Sequence, residues 1–290
     1  MKLKLGLPKG SLQEATVRMF KKAGFNISIG PRSYFPSIDD DGIDPFLLRS
    51  QEMARYVADA ALDCGITGRD WAIESGRDVV EVCELIYGKQ GLRPVRWVLA
   101  VPNDSKIKKP EDLNGKRVAT ELISVTAKYF KKQKIDADVE FSWGATEAKV
   151  GAGLVDAIVE LTETGASLRA NNLRIIGTVC ESTTVIVANK DSLANKWKKE
   201  KIDSISLLLK GALAAEEKVG LKMNVEKKNL AKVISILPAI KTPTISYLSE
   251  EGWCAIETIV DEKIVRNIIP LLKQNGAQGI IEYPLNKVIS

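Results

Sequence analysis

The chain has 290 residues, 45% hydrophobic and 27% charged, with a net charge of +5. That is enough for two or three domains with real cores, and the mild, dispersed basic excess suits anionic small molecules rather than nucleic acid. The absence of histidine excludes imidazole bases, Ser-His-Asp triads and His metal ligands, and the absence of any apolar run near roughly 20 residues excludes a membrane-spanning helix.

In chain order, KLKLGLP reads as a strand, Lys9-Gly10-Ser11 as the turn into a helix from about Leu12 to Ala23, and Gly24 as its stop. The start MKLKLGLPKGSL turns polar too soon for a signal peptide, so a cytoplasmic protein without membrane association is expected. A second helix spans QEMARYVADAAL, followed by the strand DCGIT and the turn Gly68-Arg69-Asp70 into the helix WAIESG. From Arg96 the strand WVLAVP leads to KKPEDLNGKRVAT, with Pro110 opening a short helix, Gly115 ending it, and RVAT as a strand. The helix SVTAKYFKKQK, the strand DVEFSW and the turn Gly144-Ala145-Thr146 into EAKVGAG continue the alternation.

Leu154 to Leu161 then predicts a buried strand that delivers Asp156 and Glu160 to one sheet edge. It runs into Thr162, Glu163, Thr164, Gly165, Ala166, Ser167 and Leu168, where backbone amides and hydroxyls gather at a helix start. Acids for ribose hydroxyls and amides for a 5′-phosphate make this a phosphosugar loop; an ordinary capped turn is the plainer alternative. After LRIIGTV, the strand STTVIVANK returns to the first lobe, so two α/β lobes joined by a double crossover are expected, with the site in the cleft between them. Lobe I is assigned residues 1–95 and 179–200, and lobe II residues 96–178. The lysine-rich Asn195 to Lys201 reads as a solvated boundary. Beyond it, residues 203–290 show a leading helix and then the order β-α-β-β-α-β, the ferredoxin-like pattern. Residues 25–50 and 77–95 receive no sheet strand from these signals.

Four turns should converge on the cleft: Leu7 to Leu12, Gly65 to Trp71, Thr120 to Thr126, and Asp156 to Leu168. With Lys9, Arg69, Asp156 and Glu160 among them they describe a polyanion site. Cys64, Cys83, Cys180 and Cys254 are isolated, so reduced thiols are expected and no zinc centre.

The segments LPKGSLQEAT, LDCGITGRDW, RPVRWVLAVP, FSWGATEAKVGAGLVDAIVELTETGASLRANNLR and ESTTVIVANK resemble the catalytic part of the ATP phosphoribosyltransferase family, and GLKMN, TPTISYL and AQGIIEYPLNKVI resemble the regulatory domain of its long form. The resemblance covers essentially the whole chain, with Ser167 where Thr is expected and Ala60 where Gly is usual. It implies a periplasmic-binding-protein-like catalytic part with a C-terminal ACT-like domain. It further implies transfer of phosphoribosyl from 5-phosphoribosyl 1-diphosphate to N1 of ATP with release of pyrophosphate, Mg²⁺, dimers exchanging with hexamers, and feedback inhibition by histidine. In that light Thr162 to Leu168 hold the 5′-phosphate, and Asp156 and Glu160 the ribose. Lys9, Gly10, Arg32, Arg49, Gly68, Arg69 and Asp70 serve ATP or the diphosphate, and Glu121 and Trp143 flank the nucleotide. Asn224, Thr242 and Thr244 become candidates for histidine, while Mg²⁺ arrives on the diphosphate and its protein ligands stay unassigned. A two-lobed small-molecule binding protein without catalytic activity is the rival reading, since the double crossover serves both classes.

Overall fold

The opening apolar run forms β1 (Leu3–Lys9), followed by α1 (Gln13–Ala23), the short ladder of β2 (Ile27–Ser28) with β3 (Ser37–Ile38), β4 (Ile43–Arg49), α2 (Ser50–Ala58), β5 (Cys64–Gly68), α3 (Arg69–Ser75) and β6 (Val80–Leu85). The computed structural model describes residues 1–31, 33–88, 91–238 and 242–289. The chain then crosses to a second lobe made of β7 (Val95–Pro102), a 3-10 turn at Pro110–Leu113, β8 (Arg117–Thr120), α4 (Ile123–Gln133), β9 (Asp138–Phe141), α5 (Thr146–Gly151), β10 (Ala157–Thr162), α6 (Ala166–Ala170) and β11 (Leu173–Ser182). It crosses back through Thr183 into β12 (Thr184–Ala188), then α7 (Lys190–Ala194) and α8 (Lys196–Ala215).

Lobe I is a five-stranded sheet in the order β4-β1-β5-β12-β6, with β1 parallel to β4 and β5, and β12 antiparallel to β5 and β6. Lobe II is a second sheet in the order β11-β7-β10-β8-β9, parallel through β10, β8 and β9 and antiparallel at β7. Two α/β lobes linked by two crossings are the periplasmic-binding-protein-like plan expected from the sequence. Of the four strands absent from that expectation, β4 and β6 are the edges of the first sheet, and β2 and β3 form a short ladder of their own. Pro45 lies inside β4 and is tolerated because an edge strand needs no ladder donor on its outer side.

Both faces of the second sheet are covered. Trp97, Leu99, Val101, Val118, Phe130 and Val159 pack on one side and Val98, Ala100, Ala119, Ile158 and Leu168 on the other, which is why β7 and β10 read as unbroken apolar runs. In the first sheet Gly6 of β1 and Gly65 of β5 are register partners. Met53 of α2 lies across both, and a Cβ on either glycine would fall 2.2 or 2.4 Å from its sulfur. The glycines therefore let the helix approach the sheet closely.

By compactness the chain divides into Met1–Lys21 with Phe25–Ser206, which includes both lobes, and Lys22–Gly24 with Leu207–Ser290. The division falls within α8, a continuous helix through the lysine-rich stretch that resembles a solvated boundary. Asn195 Oδ1 accepts the Lys198 amide at 3.1 Å, while Lys198 and Lys201 reach Asp63 and Asp40, each at 2.6 Å. Half of those lysines are thus anchors rather than solvated charge.

The C-terminal unit contains β13 (Lys218–Glu226), a 3-10 turn, α9 (Leu230–Ile236), β14 (Thr244–Tyr247), β15 (Trp253–Asp261), α10 (Glu262–Gln274) and β16 (Gln278–Pro284). Its antiparallel sheet has the order β14-β15-β13-β16, the ferredoxin-like, ACT-like arrangement. Leu221, Met223, Val225, Ile256, Val265 and Leu272 form its core. Among the described residues no helix is long and apolar enough to cross a membrane.

Candidate active site

Lys9 and Arg49 close β1 and β4 as register partners, so two cations stand on adjacent strands about 4.8 Å apart at the carboxyl edge of the first sheet. Lys9 Nζ lies 3.5 Å from the centroid of the exposed Tyr34 ring, a cation–π contact. Gly10 follows at φ +111°, a conformation that leaves the turn free of a Cβ. A cavity of about 240 Å³ opens here. Lobe I supplies Lys9 to Leu12, Arg49 to Gln51, and Gly68, Asp70 and Trp71. The crossings supply Tyr87, Gly88 and Ser182 to Thr184, and lobe II adds Val95, Leu161 and Glu163. Arg32 lies outside the described residues.

Arg69 and Asp70, adjacent in sequence, do different things. The Arg69 guanidinium is held by Glu81 at 2.9 and 2.6 Å and by Glu84 at 2.8 Å, and its amide donates to Thr183 O at 2.9 Å. Glu84 also accepts from Thr183 Oγ1 at 2.6 Å, so Arg69 fastens the β5–α3 turn to the second crossing. The hydrogen bonds it donates to Glu81, and then to Glu84, hold it firmly protonated. Asp70 is only 4% exposed. Its carboxylate accepts Trp97 Nε1 of lobe II at 2.5 Å and the Trp71 amide at 2.9 Å, and its own amide donates to Ser182 Oγ at 3.0 Å. Burial raises its pKa against those hydrogen bonds. A Cβ at Gly68 would meet Asp70 Oδ1, so the neighbouring glycine makes room for that carboxylate.

On the lobe II side the strand is shorter than its apolar run predicts. β10 starts at Ala157, and Asp156 precedes it, accepting the Arg117 amide at 2.9 Å with Lys116 Nζ 3.6 Å away. Asp156 and Glu160 therefore sit about 13 Å apart along an extended chain and do not share one edge. Apolar periodicity does not mark where pairing with β8 begins. Glu160 is beside the loop. Burial, reinforced by the charges of Glu147 and Glu121 against hydrogen bonds from the Leu161 amide and Thr146, pushes its pKa up to about 7.

The loop itself is a tight turn. The Gly165 amide donates to buried Thr162 Oγ1 at 2.7 Å, the Ala166 amide reaches Thr164 Oγ1 at 3.4 Å, and Arg169 Nη1 donates to Thr164 O at 3.0 Å. Gly165 takes φ +73°. Leu168 anchors the turn in the core, and Ser167 Oγ donates to Glu147 Oε1 at 2.8 Å. Glu163 lines the cavity, close to Gly88 across the crossing. Glu121 has its pKa raised by burial and opposed by a hydrogen bond from Gln51 and the charge of Arg49, so it reaches across to lobe I. Trp143 is 93% exposed and edge-on to Phe141, with ring centroids 4.7 Å apart. It is a surface ring and not core.

Glu147, Gln51, Ser182 and Thr183 carry no sequence signal, because their partners lie on elements far away in the chain. In the C-terminal unit Asn224 on β13 pairs with Ala255, which pairs with Ser246 on β14, two pairs along from Thr244. Asn224 and Thr244 are exposed, and Thr242 is exposed just ahead of β14. A larger hollow of about 640 Å³ in that unit is lined by Glu216, Glu217, Glu262 and Glu282 together with Lys263 and Arg266, an acidic excess that makes it a poor match for anions. Among the described residues no three acids or cysteines are grouped to hold a metal ion.

Residues 49–211 match the family described as ATP phosphoribosyltransferase, and residues 215–287 the family described as HisG, C-terminal domain. Proteins named ATP phosphoribosyltransferase from Chlorobaculum parvum and Thermodesulfovibrio yellowstonii are each 58% identical over 287 residues, 99% of this chain and 97% and 98% of theirs. The solved ATP phosphoribosyl transferase (HisG:HisZ) complex from Thermotoga maritima includes a chain that is 29% identical with a TM-score of 0.60, over 72% of this chain and 96% of its own.

Proposed function

This chain belongs to the ATP phosphoribosyltransferase family, and from that membership we propose that it transfers phosphoribosyl from 5-phosphoribosyl 1-diphosphate to N1 of ATP, releasing pyrophosphate, as the first step of histidine biosynthesis in the cytoplasm. The observation that carries the reading is the Lys9–Arg49 cation pair at one edge of a cleft that also takes in the strand end and turn of β10. As the bond from C1′ to the diphosphate breaks and the bond to adenine N1 forms, positive charge develops on the ribose and negative charge on the leaving group. Fixed cations and amides stabilise that separation without a covalent intermediate.

In this reading the turn from Thr162 to Leu168 binds the 5′-phosphate, and Glu160, with Glu163 near it, accepts from ribose hydroxyls. Asp156 supports the same strand from its far end through Arg117. Lys9 and Arg49 face the diphosphate and triphosphate. Arg69, neutralised by Glu81 and Glu84, holds the turn that presents Gly68 and Asp70. Glu121 and the exposed Trp143 flank the adenine.

Mg²⁺ enters this reading as a companion of the diphosphate, held through few protein ligands. The C-terminal unit senses histidine at Asn224, Thr242 and Thr244 in an assembly of dimers or hexamers. Pyrophosphate release measured with both substrates tests the assignment. Release that requires both supports it, and binding without release returns the chain to the class of two-lobed binding proteins.

A further inference from the structure

Helix α3 belongs to lobe I in the chain but is fastened into lobe II at both ends. In its first turn Asp70 accepts Trp97 Nε1 at 2.5 Å, and Trp71 packs edge-on against Trp97 with centroids 5.8 Å apart, in the core of the second sheet. Four residues on, and so on the same helical face, Glu74 accepts the amides of Ser124 at 2.8 Å and Val125 at 2.9 Å. These are first-turn donors of α4, whose own N-cap residue, Leu122, offers no side-chain acceptor. The cap and the negative charge that favour this helix start are thus supplied by the other lobe. The same turn carries Glu121, which reaches Gln51 and Arg49 across the cleft.

We propose that Glu74 is a positioning residue: by capping α4 across the lobe boundary, it sets how closely the Glu121 turn approaches Arg49 and Gln51, and hence the width of the cleft. This rests on the transferase reading only for its kinetic consequence.

Cys180 on β11 provides a readout independent of activity. It packs in the cluster that holds Trp71 and Val125 and is partly exposed, whereas Cys64, Cys83 and Cys254 are buried. The test compares the full chain with Glu74→Gln, which keeps an acceptor oxygen, and Glu74→Ala, which keeps none. Alkylation of Cys180 by iodoacetamide is followed by peptide mass, alongside KM and kcat for both substrates. Loss of charge-assisted hydrogen bonds is expected to speed alkylation about tenfold or more in Glu74→Ala, with Glu74→Gln clearly slower than Glu74→Ala. KM for ATP should rise by a similar factor in Glu74→Ala, with a smaller change in kcat and partial recovery in Glu74→Gln. Equal acceleration in the two variants means that only the charge near the thiol mattered and overturns the proposal, as does alkylation at the wild-type rate. Faster alkylation with unchanged KM reduces Glu74 to a local cap and also overturns it. If the wild type releases no pyrophosphate, the transferase reading fails while the alkylation comparison still decides whether Glu74 holds α4 across the lobe boundary.

Discussion

Replacing Glu160 with Gln should stabilise the protein above neutral pH while impairing its work. Glu160 is partly buried beside Glu147 and Glu121, which lifts its pKa to about 7, against about 4.3 for a free glutamate. Because the folded-state value is the higher one, the protonated carboxyl favours the folded chain. That stability is complete below the unfolded value, is lost as pH rises between the two, and is absent above about 7. Each tenfold in protonation is worth about 1.4 kcal/mol, so the full swing is roughly 4 kcal/mol. Urea midpoints at a series of pH values should therefore fall for the wild type across this window and stay flatter for Glu160→Gln, which should be the more stable at pH 8. Turnover with the sugar diphosphate should drop about tenfold or more, the worth of one charge-assisted hydrogen bond. Parallel stability curves for the two proteins would show that Glu160 titrates in its ordinary range and refute the argument.

Gly165→Val puts a branched side chain at φ +73° with its Cβ 2.9 Å from Arg169 Nη1, so transfer should be abolished; normal binding of the sugar diphosphate by calorimetry would leave the turn as a helix cap only. Asp63 is buried, which by itself raises its pKa, but hydrogen bonds from Lys198, the Lys4 amide and Ser192 outweigh that and hold it below the usual range. Its contribution is present above the usual aspartate value of about 3.9 and lost as pH falls through the lower folded value. Asp63→Asn should therefore cost about 3 kcal/mol at pH 7 by urea titration and weaken the acid limb of the stability curve; an unchanged midpoint contradicts this. Millimolar histidine should inhibit the full chain, and Asn224→Ala or Thr244→Ala should weaken the inhibition; indifference of the wild type removes the regulatory reading.

Local chemistry made much of this protein legible in its sequence. The strands β1, β5, β8 and β10, the turns that follow them, and the six-element order of the C-terminal unit are written in apolar runs, glycines and caps that act within a few residues. The edge strands β4 and β6 were not legible, because Pro45 mimics a turn and short alternating segments gain their stability only from a neighbouring strand. The site divides in the same way. The Thr162–Leu168 turn is a local structure, closed by Thr162 and Gly165 within three residues. The condition of each charged group around it was settled by partners remote in the chain. Glu81 and Glu84 occupy Arg69, Trp97 holds Asp70, and Asp156 is drawn to Arg117 at the far end of its strand. Glu160 becomes a weak acid because folding brings Glu147 and Glu121 around a carboxyl that it has also removed from water, and no spacing along the chain encodes that desolvation.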